Sequence, residues 1–242
     1  MIIRKPALKD ILQFVAETHY VENIDNCTLS DVENTFYKKY QNQYAHGHLL
    51  AFNYALNKLV NTTDYPSRLY PIQSVTELEN NIHWIKKLYS ITFSPLINIE
   101  NYTLSKINTW RNHLAENTIS TAPVPSLIPY IMIEWINNLS TIHNQIKDKL
   151  DSPYGISQQQ YKTMRELIEQ QPLFFSTVQP FNYANNRFGR LIQNIILIGW
   201  NMPLNAKVIN TYETFKKQLE RFQKDTLPTI KQNAQKLMKT IL

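Results

Sequence analysis

Val178-Gln-Pro-Phe-Asn-Tyr-Ala-Asn-Asn-Arg-Phe-Gly-Arg190 runs directly into Leu191-Ile-Gln-Asn-Ile-Ile-Leu-Ile-Gly199. The second piece is nearly all apolar, and a helix apolar all round belongs at the centre of a helical core. Gly199 and Pro203 supply its stop signals. The first piece is polar and dense in asparagine and arginine. It joins one helix to the start of the central one. A helix's first turn offers unpaired N–H groups and the positive end of the dipole, and loop amides leading into it form an anion-holding nest. Asn185 and Asn186 tolerate the left-handed backbone such a nest needs. Arg187 and Arg190 fall on one face of the first turn, spaced to clamp phosphate oxygens. Two readings of these residues stay open: an anion site, or a structural loop whose arginines pair with carboxylates.

Outward from this stretch the pattern is helical. Ser157-Gln-Gln-Gln160 has the form of a capping box opening a helix that runs to about Ser176. Before it, Ile131, Trp135, Leu139, Ile142, Ile146 and Leu150 form a stripe at spacings of three and four. Ser126 is the expected N-cap and Pro129 the expected first-turn proline of that helix. Residues 94–125 contain Pro95, Pro123, Pro125 and the β-branched Thr118, Ile119 and Thr121, so a loop with at most a small hairpin is expected. Helical spacing covers 74–92, 29–60 and 7–22, with a break at Asn61-Thr-Thr-Asp-Tyr-Pro66. A last amphipathic segment, 209–241, is interrupted at Pro228.

Composition excludes several classes. The 242 residues are 43% hydrophobic and 12% aromatic, enough for one large folded domain or for one domain with an extension. Four glycines leave no material for glycine-rich phosphate loops. A single cysteine, Cys27, excludes disulfide frameworks and Cys-based zinc sites. The net charge of +6 permits acidic partners, but the lysines of 207–239 alternate with Glu213, Glu220 and Asp225 as on a solvated face. Nucleic acid is therefore not expected as a partner. No 18-residue apolar run predicts a membrane span, and the first residues lack an apolar signal core, so a cytoplasmic protein is expected. Export without such a signal stays open.

Gln179-Pro-Phe-Asn-Tyr-Ala-Asn-Asn-Arg-Phe-Gly-Arg190 resembles the motif of the Fic (Fido) family, His-Pro-Phe-x-Asp/Glu-Gly-Asn-Gly-Arg-x-x-Arg. Leu191 to Pro203 resembles that family's buried helix and its exit. Trp110-Arg111 through Pro125, followed by Ser126 to Leu139, resembles its flap and next helix. The resemblance covers about residues 75–205 and implies an all-α, Fic-like core with at most a small β-hairpin flap. Residues 1–74 would be an N-terminal helical extension, and 206–242 C-terminal helices packed on the core. The family transfers AMP, or another phosphate-linked group, from a nucleotide to a protein hydroxyl. The resemblance thus implies ATP or another nucleotide as ligand and a protein as partner or target. Asn185 and Asn186 would lie at the anion nest, Arg187 and Arg190 would hold the phosphates, and Pro180 and Phe181 would anchor the loop.

The departures fall on the chemistry. Gln179 stands at the histidine general-base position, and a carboxamide takes no proton from a hydroxyl near neutral pH. Losing a general base costs a factor of about 100 to 10,000. Tyr183 replaces the magnesium-binding carboxylate and is a poor ligand for a hard cation. Ala184 and Asn186 replace the two nest glycines. No metal ligand set is therefore expected, and magnesium is not expected as a cofactor. The resulting expectation is a degenerate Fic-like protein, impaired in ordinary AMP transfer and acting through partner or nucleotide binding. Two alternatives remain: an atypical transferase, or a nucleotide-independent helical interaction module.

The other chemistry-bearing residues are read blandly. His113 in the flap-like segment is expected to be an ordinary surface histidine rather than a base over the site. His46-Gly-His48 lacks further ligands at metal spacing and is expected as a polar loop or helix interruption. Glu166 and Glu169 are expected as surface charge. Phe14, Tyr20, Phe36, Tyr37, Tyr40, Tyr44, Phe52 and Tyr54 are expected mostly in the core. The family's inhibitory helix carries Ser/Thr-x-x-x-Glu-Gly/Asn; the segments Ser74–Asn80 and Thr28–Asn34 each miss it by one residue.

Overall fold

The structure is a computed structural model. It describes residues 6–22, 27–61, 83–97, 99, 103–107, 109–115, 122–150, 155–200, 202–204 and 212–241. The fold is all-α. In chain order the helices are α1 Leu8–Tyr20, α2 Leu29–Phe36, α3 Gln43–Asn61, α4 His83–Phe93, α5 Leu104–Ile107 and α6 Ile128–Leu150. They continue with α7 Gln158–Glu169, α8 Gln171–Val178, α9 Asn185–Gly199, α10 Tyr212–Asp225 and α11 Leu227–Ile241. Among the described residues there is no β-strand, only a bridge residue at Ile97. Thr118, Ile119 and Thr121, where a hairpin was expected, lie outside them, as do residues 74–82 of the expected helix start.

The central helix α9 buries every residue from Asn185 to Gly199 except the half-buried Asn186. It packs against α8, and α1 and α3 also reach it. Gly189 sets the α8–α9 approach: a Cβ there would lie 2.8 Å from Cα of Pro172 and 3.0 Å from the Gln171 carbonyl oxygen. Gly47 does the same for α3 against α4, since any Cβ would enter the Thr92 carbonyl. α6 is covered by α11, and α10 lies against α8.

Four local expectations are corrected. The single helix expected over 29–60 is broken between Phe36 and Gln43, because Lys38 adopts a left-handed φ of 57°. The Asn42 side chain then starts α3 anew by accepting from the N–H groups of Tyr44 (3.0 Å) and Ala45 (3.2 Å). The helix expected from 158 to 176 is two, because Pro172 removes a donor and clashes with the carbonyl four residues back. Ser126 is not an N-cap but lies inside a 3-10 turn, Pro125–Leu127, that leads into α6. His46-Gly-His48 does not interrupt a helix; it lies within α3.

Other signals act as the sequence implies. Ser157 Oγ accepts from the Gln160 N–H at 3.2 Å while Gln160 Oε1 accepts from the Ser157 N–H at 3.2 Å. Pro228 sits in the first turn of α11, where its missing N–H costs nothing. No described helix is long and apolar enough to cross a membrane.

Candidate functional site

The polar loop 179–184 spans the end of α8 and the start of α9, and left-handed residues close both ends. Gln179 (φ 47°) terminates α8 and Ala184 (φ 48°) precedes α9. The left-handed backbone expected at Asn185 and Asn186 is thus found elsewhere, because both asparagines already belong to the helix. At Ala184 this conformation costs on the order of 1 kcal/mol. Asn185 closes the loop with its side chain: Oδ1 accepts from the Phe181 N–H at 3.0 Å and Nδ2 donates to the Phe181 carbonyl at 2.9 Å.

Aromatic packing holds the loop on the core. Phe181 is fully buried and stacks on Tyr89 at 3.9 Å between ring centroids, with Phe188 edge-on at 5.2 Å. Pro180 is buried beside it. The Tyr89 hydroxyl donates to the Tyr183 carbonyl (2.9 Å) and accepts from the Tyr183 N–H (3.3 Å). Two loop amides, those of Phe181 and Tyr183, are therefore already used within the protein.

Three residues that sequence reasoning missed complete the frame. Arg111, 2% exposed, donates from Nε to the Gln179 carbonyl (2.8 Å) and from Nη2 to the Pro123 (2.8 Å) and Val178 (3.4 Å) carbonyls. Its Nη1 donates to the His113 carbonyl, and its backbone N–H to the Pro180 carbonyl at 2.8 Å. A guanidinium at the carbonyl end of α8 is favoured by the helix dipole. Lys106 Nζ donates to the Tyr183 hydroxyl at 2.9 Å, and its carbonyl accepts from Asn182 Nδ2 at 2.9 Å. A positive charge thus stands beside Tyr183. Gln179 is half-buried, and its backbone is fixed by the Phe175 carbonyl and Arg111.

The third missed residue is Glu22. Arg187 Nε lies 2.8 Å from Glu22 Oε2, with side-chain exposures of 6% and 20%. The Arg187 guanidinium also stands over the Phe93 and Tyr44 rings, 5.5 and 6.0 Å from their centroids. Arg190 Nη1 donates to the Thr18 carbonyl at 3.1 Å and stands over the Phe215 ring at 5.6 Å. The last turn of α1 and the residues after it therefore hold both arginines at once. The signal was in the sequence: Thr18-His-Tyr-Val-Glu22-Asn23 has the Ser/Thr-x-x-x-Glu-Asn spacing that Ser74–Asn80 and Thr28–Asn34 miss by one.

His19 sits within this contact. It is fully buried, its Nδ1 donates to the Val15 carbonyl at 2.7 Å, and its ring meets His48 edge-on at 4.6 Å and Tyr44 at 5.8 Å. Burial drives its pKa from 6.5 to about 3, aided by Arg187 and Arg190. His48 is pushed well below 6.5 by burial, His19 and Arg187. Both rings are therefore neutral at physiological pH. Burial pushes the Cys27 thiol up to about 12, so it is no thiolate nucleophile.

The remaining candidates are dispersed. His113 is exposed and touches Asn112. Glu166 and Glu169 form exposed pairs with Lys162 (3.8 Å) and Arg165 (2.6 Å). Tyr20, Phe36, Tyr37 and Tyr40 are exposed, so half of the aromatic series expected mostly in the core lies on the surface; the break after α2 turns three of them outward. Among the described residues no three His, Cys, Asp or Glu side chains gather as a metal site. Compared with models of known protein families and with curated proteins, the chain matches none of them.

Proposed function

We propose that this chain is a degenerate Fic-like protein whose arginine pair is held by its own α1, and that it acts by binding a nucleotide or a protein partner rather than by ordinary AMP transfer. The observation that carries the reading is the Glu22–Arg187 ion pair at 2.8 Å, between a half-buried carboxylate and a buried guanidinium, reached through a Thr-x-x-x-Glu-Asn segment. A carboxylate on Arg187 occupies the charge that would otherwise face a phosphate.

The chemistry of the loop argues against transfer. Gln179 supplies no base, and the cationic Lys106 stands at Tyr183, where the resemblance would require a magnesium ligand. A cation so placed repels a second one. What remains is a positive corner suited to an anion, closed by Glu22. Incubation with ATP labelled at the α-phosphate tests this, with wild type and Glu22→Ala, each with a cell lysate and magnesium. The expected result is no protein labelling by either form. Labelling by either at rates typical of an AMP-transferring enzyme would overturn the proposal.

A further inference from the structure

The end of α1 meets His48 of α3 and Arg187 and Arg190 of α9 through polar groups that are only partly satisfied. His19 Nδ1 donates to the Val15 carbonyl at 2.7 Å, and His48 Nδ1 to the Tyr44 carbonyl at 3.2 Å. A carbonyl only accepts, so each neutral ring carries its proton on Nδ1 and a bare lone pair on Nε2. Both Nε2 atoms are buried, and among the described residues neither has a hydrogen-bond partner. The Thr18 hydroxyl oxygen is in the same position. Each such atom costs free energy while the end of α1 is docked, and none once water reaches it.

A second proton on either ring must go to Nε2, where nothing accepts it and the neighbouring charges oppose it. His19 is faced from α3 by His48, at 4.6 Å between ring centroids, and by Tyr44, and from α9 by Arg187 and Arg190. His48 is faced by His19, by Arg187 and by the Phe93 ring of α4. Of the acids around them, Glu22 lies on Arg187, and Glu17 of α1 accepts from Gln13 Nε2 at 2.7 Å. On α2, which also packs on α1, Asp31 accepts from the Thr28 N–H and Glu33 is exposed. Burial and the arginines thus keep both rings neutral while they are docked. In water each returns to its ordinary value of 6.5.

We propose that residues 18–22 form an acid-released latch: protonation of His19 and His48 lifts the segment from Arg187 and Arg190, so that this corner is closed at neutral pH and opens in mild acid. That the opened corner takes an anion rests on the function proposed above; the release itself does not. Each histidine multiplies the ratio of released to docked segment by about tenfold for every pH unit below 6.5, so the two together give about a hundredfold at pH 5.5. That interval lies above the ordinary carboxylate range.

Amide hydrogen exchange of the full chain at pH 7.5 and 5.5, corrected for the intrinsic rate at each pH, tests the release. Residues 16–22 should lose at least tenfold in protection at pH 5.5, while α6 and α8 keep theirs. His19→Phe/His48→Phe retains two rings and removes both titrations, so its residues 16–22 should stay protected. Unchanged protection of 16–22 in wild type, an equal loss in α6 and α8, or the same loss in the double variant would overturn the latch. The two wild-type comparisons decide it should the variant fail to fold. Calorimetric titration with ATP at both pH values separates release from anion binding. Release with tighter ATP binding at pH 5.5 supports both, and release without ATP binding overturns the anion reading alone.

Discussion

Acid should loosen this protein well above the range in which its carboxylates titrate, because two neutral histidines are buried against its arginines. His19 faces His48 and Tyr44 on α3 and Arg187 and Arg190 on α9, so a proton on it would meet two fixed positive charges. Its pKa is about 3 in the folded chain against 6.5 when solvated. Between those values the unfolded chain binds more protons than the folded one, so stability is full above pH 6.5 and falls as pH drops. Each such group costs about 1.4 kcal/mol per pH unit across that window. For His19 the loss relative to neutral pH amounts to about 3 kcal/mol at pH 4, a large part of a typical domain's total. His48, shifted in the same direction, adds to it. Asp31, whose pKa is lowered by Thr28 and Tyr40, withdraws its support only below its ordinary value of 3.8; His46, lowered by burial, adds to the loss, while Glu134, raised by burial, works against it as pH falls. Urea unfolding followed at steps from pH 7.5 to 4.5 measures the slope. His19→Phe keeps the ring volume and removes the titration, so its stability should fall less steeply than that of wild type. Parallel decline of the two proteins would refute the reasoning.

Other substitutions probe the frame of the loop. Gly189→Val drives a side chain into Pro172 and the Gln171 carbonyl and should cost about 1–3 kcal/mol by thermal or urea unfolding. Asn185→Leu removes both bonds that close the loop on Phe181 and should cost about 2 kcal/mol, with the Phe181 backbone amide losing hydrogen-exchange protection first. Arg111→Met leaves the Gln179 and Pro123 carbonyls without their charged donor and should destabilise by about 3 kcal/mol, more than any exposed arginine such as Arg221.

Local chemistry was the legible part. The Ser157 capping box, the Pro228 interruption and the buried apolar run of α9 are each written within a dozen residues, where periodicity and capping act. The break after α2 was not, because nothing in Tyr37-Lys-Lys-Tyr40 forces a left-handed lysine; tertiary packing does. The Pro172 break is local too, since a proline inside a helical pattern ends the helix before it. The candidate site was legible only in its continuous segment. That Arg187 meets Glu22, or that Arg111 and Lys106 reach the loop, depends on contacts between residues far apart in the chain, to which periodicity is blind. Only the Thr18-x-x-x-Glu22-Asn23 spacing announced the first of these.

The central question is whether Glu22 covers an anion site. Calorimetric titration with ATP, without and with magnesium, of wild type, Glu22→Ala and Glu22→Ala/Arg187→Ala tests it most directly. Removing Glu22 leaves Arg187 buried without its carboxylate, which an anion then stabilises. Glu22→Ala should bind ATP at least tenfold more tightly than wild type, magnesium should change this little, and the double variant should lose the gain. Equal, or absent, ATP binding by wild type and Glu22→Ala would contradict it.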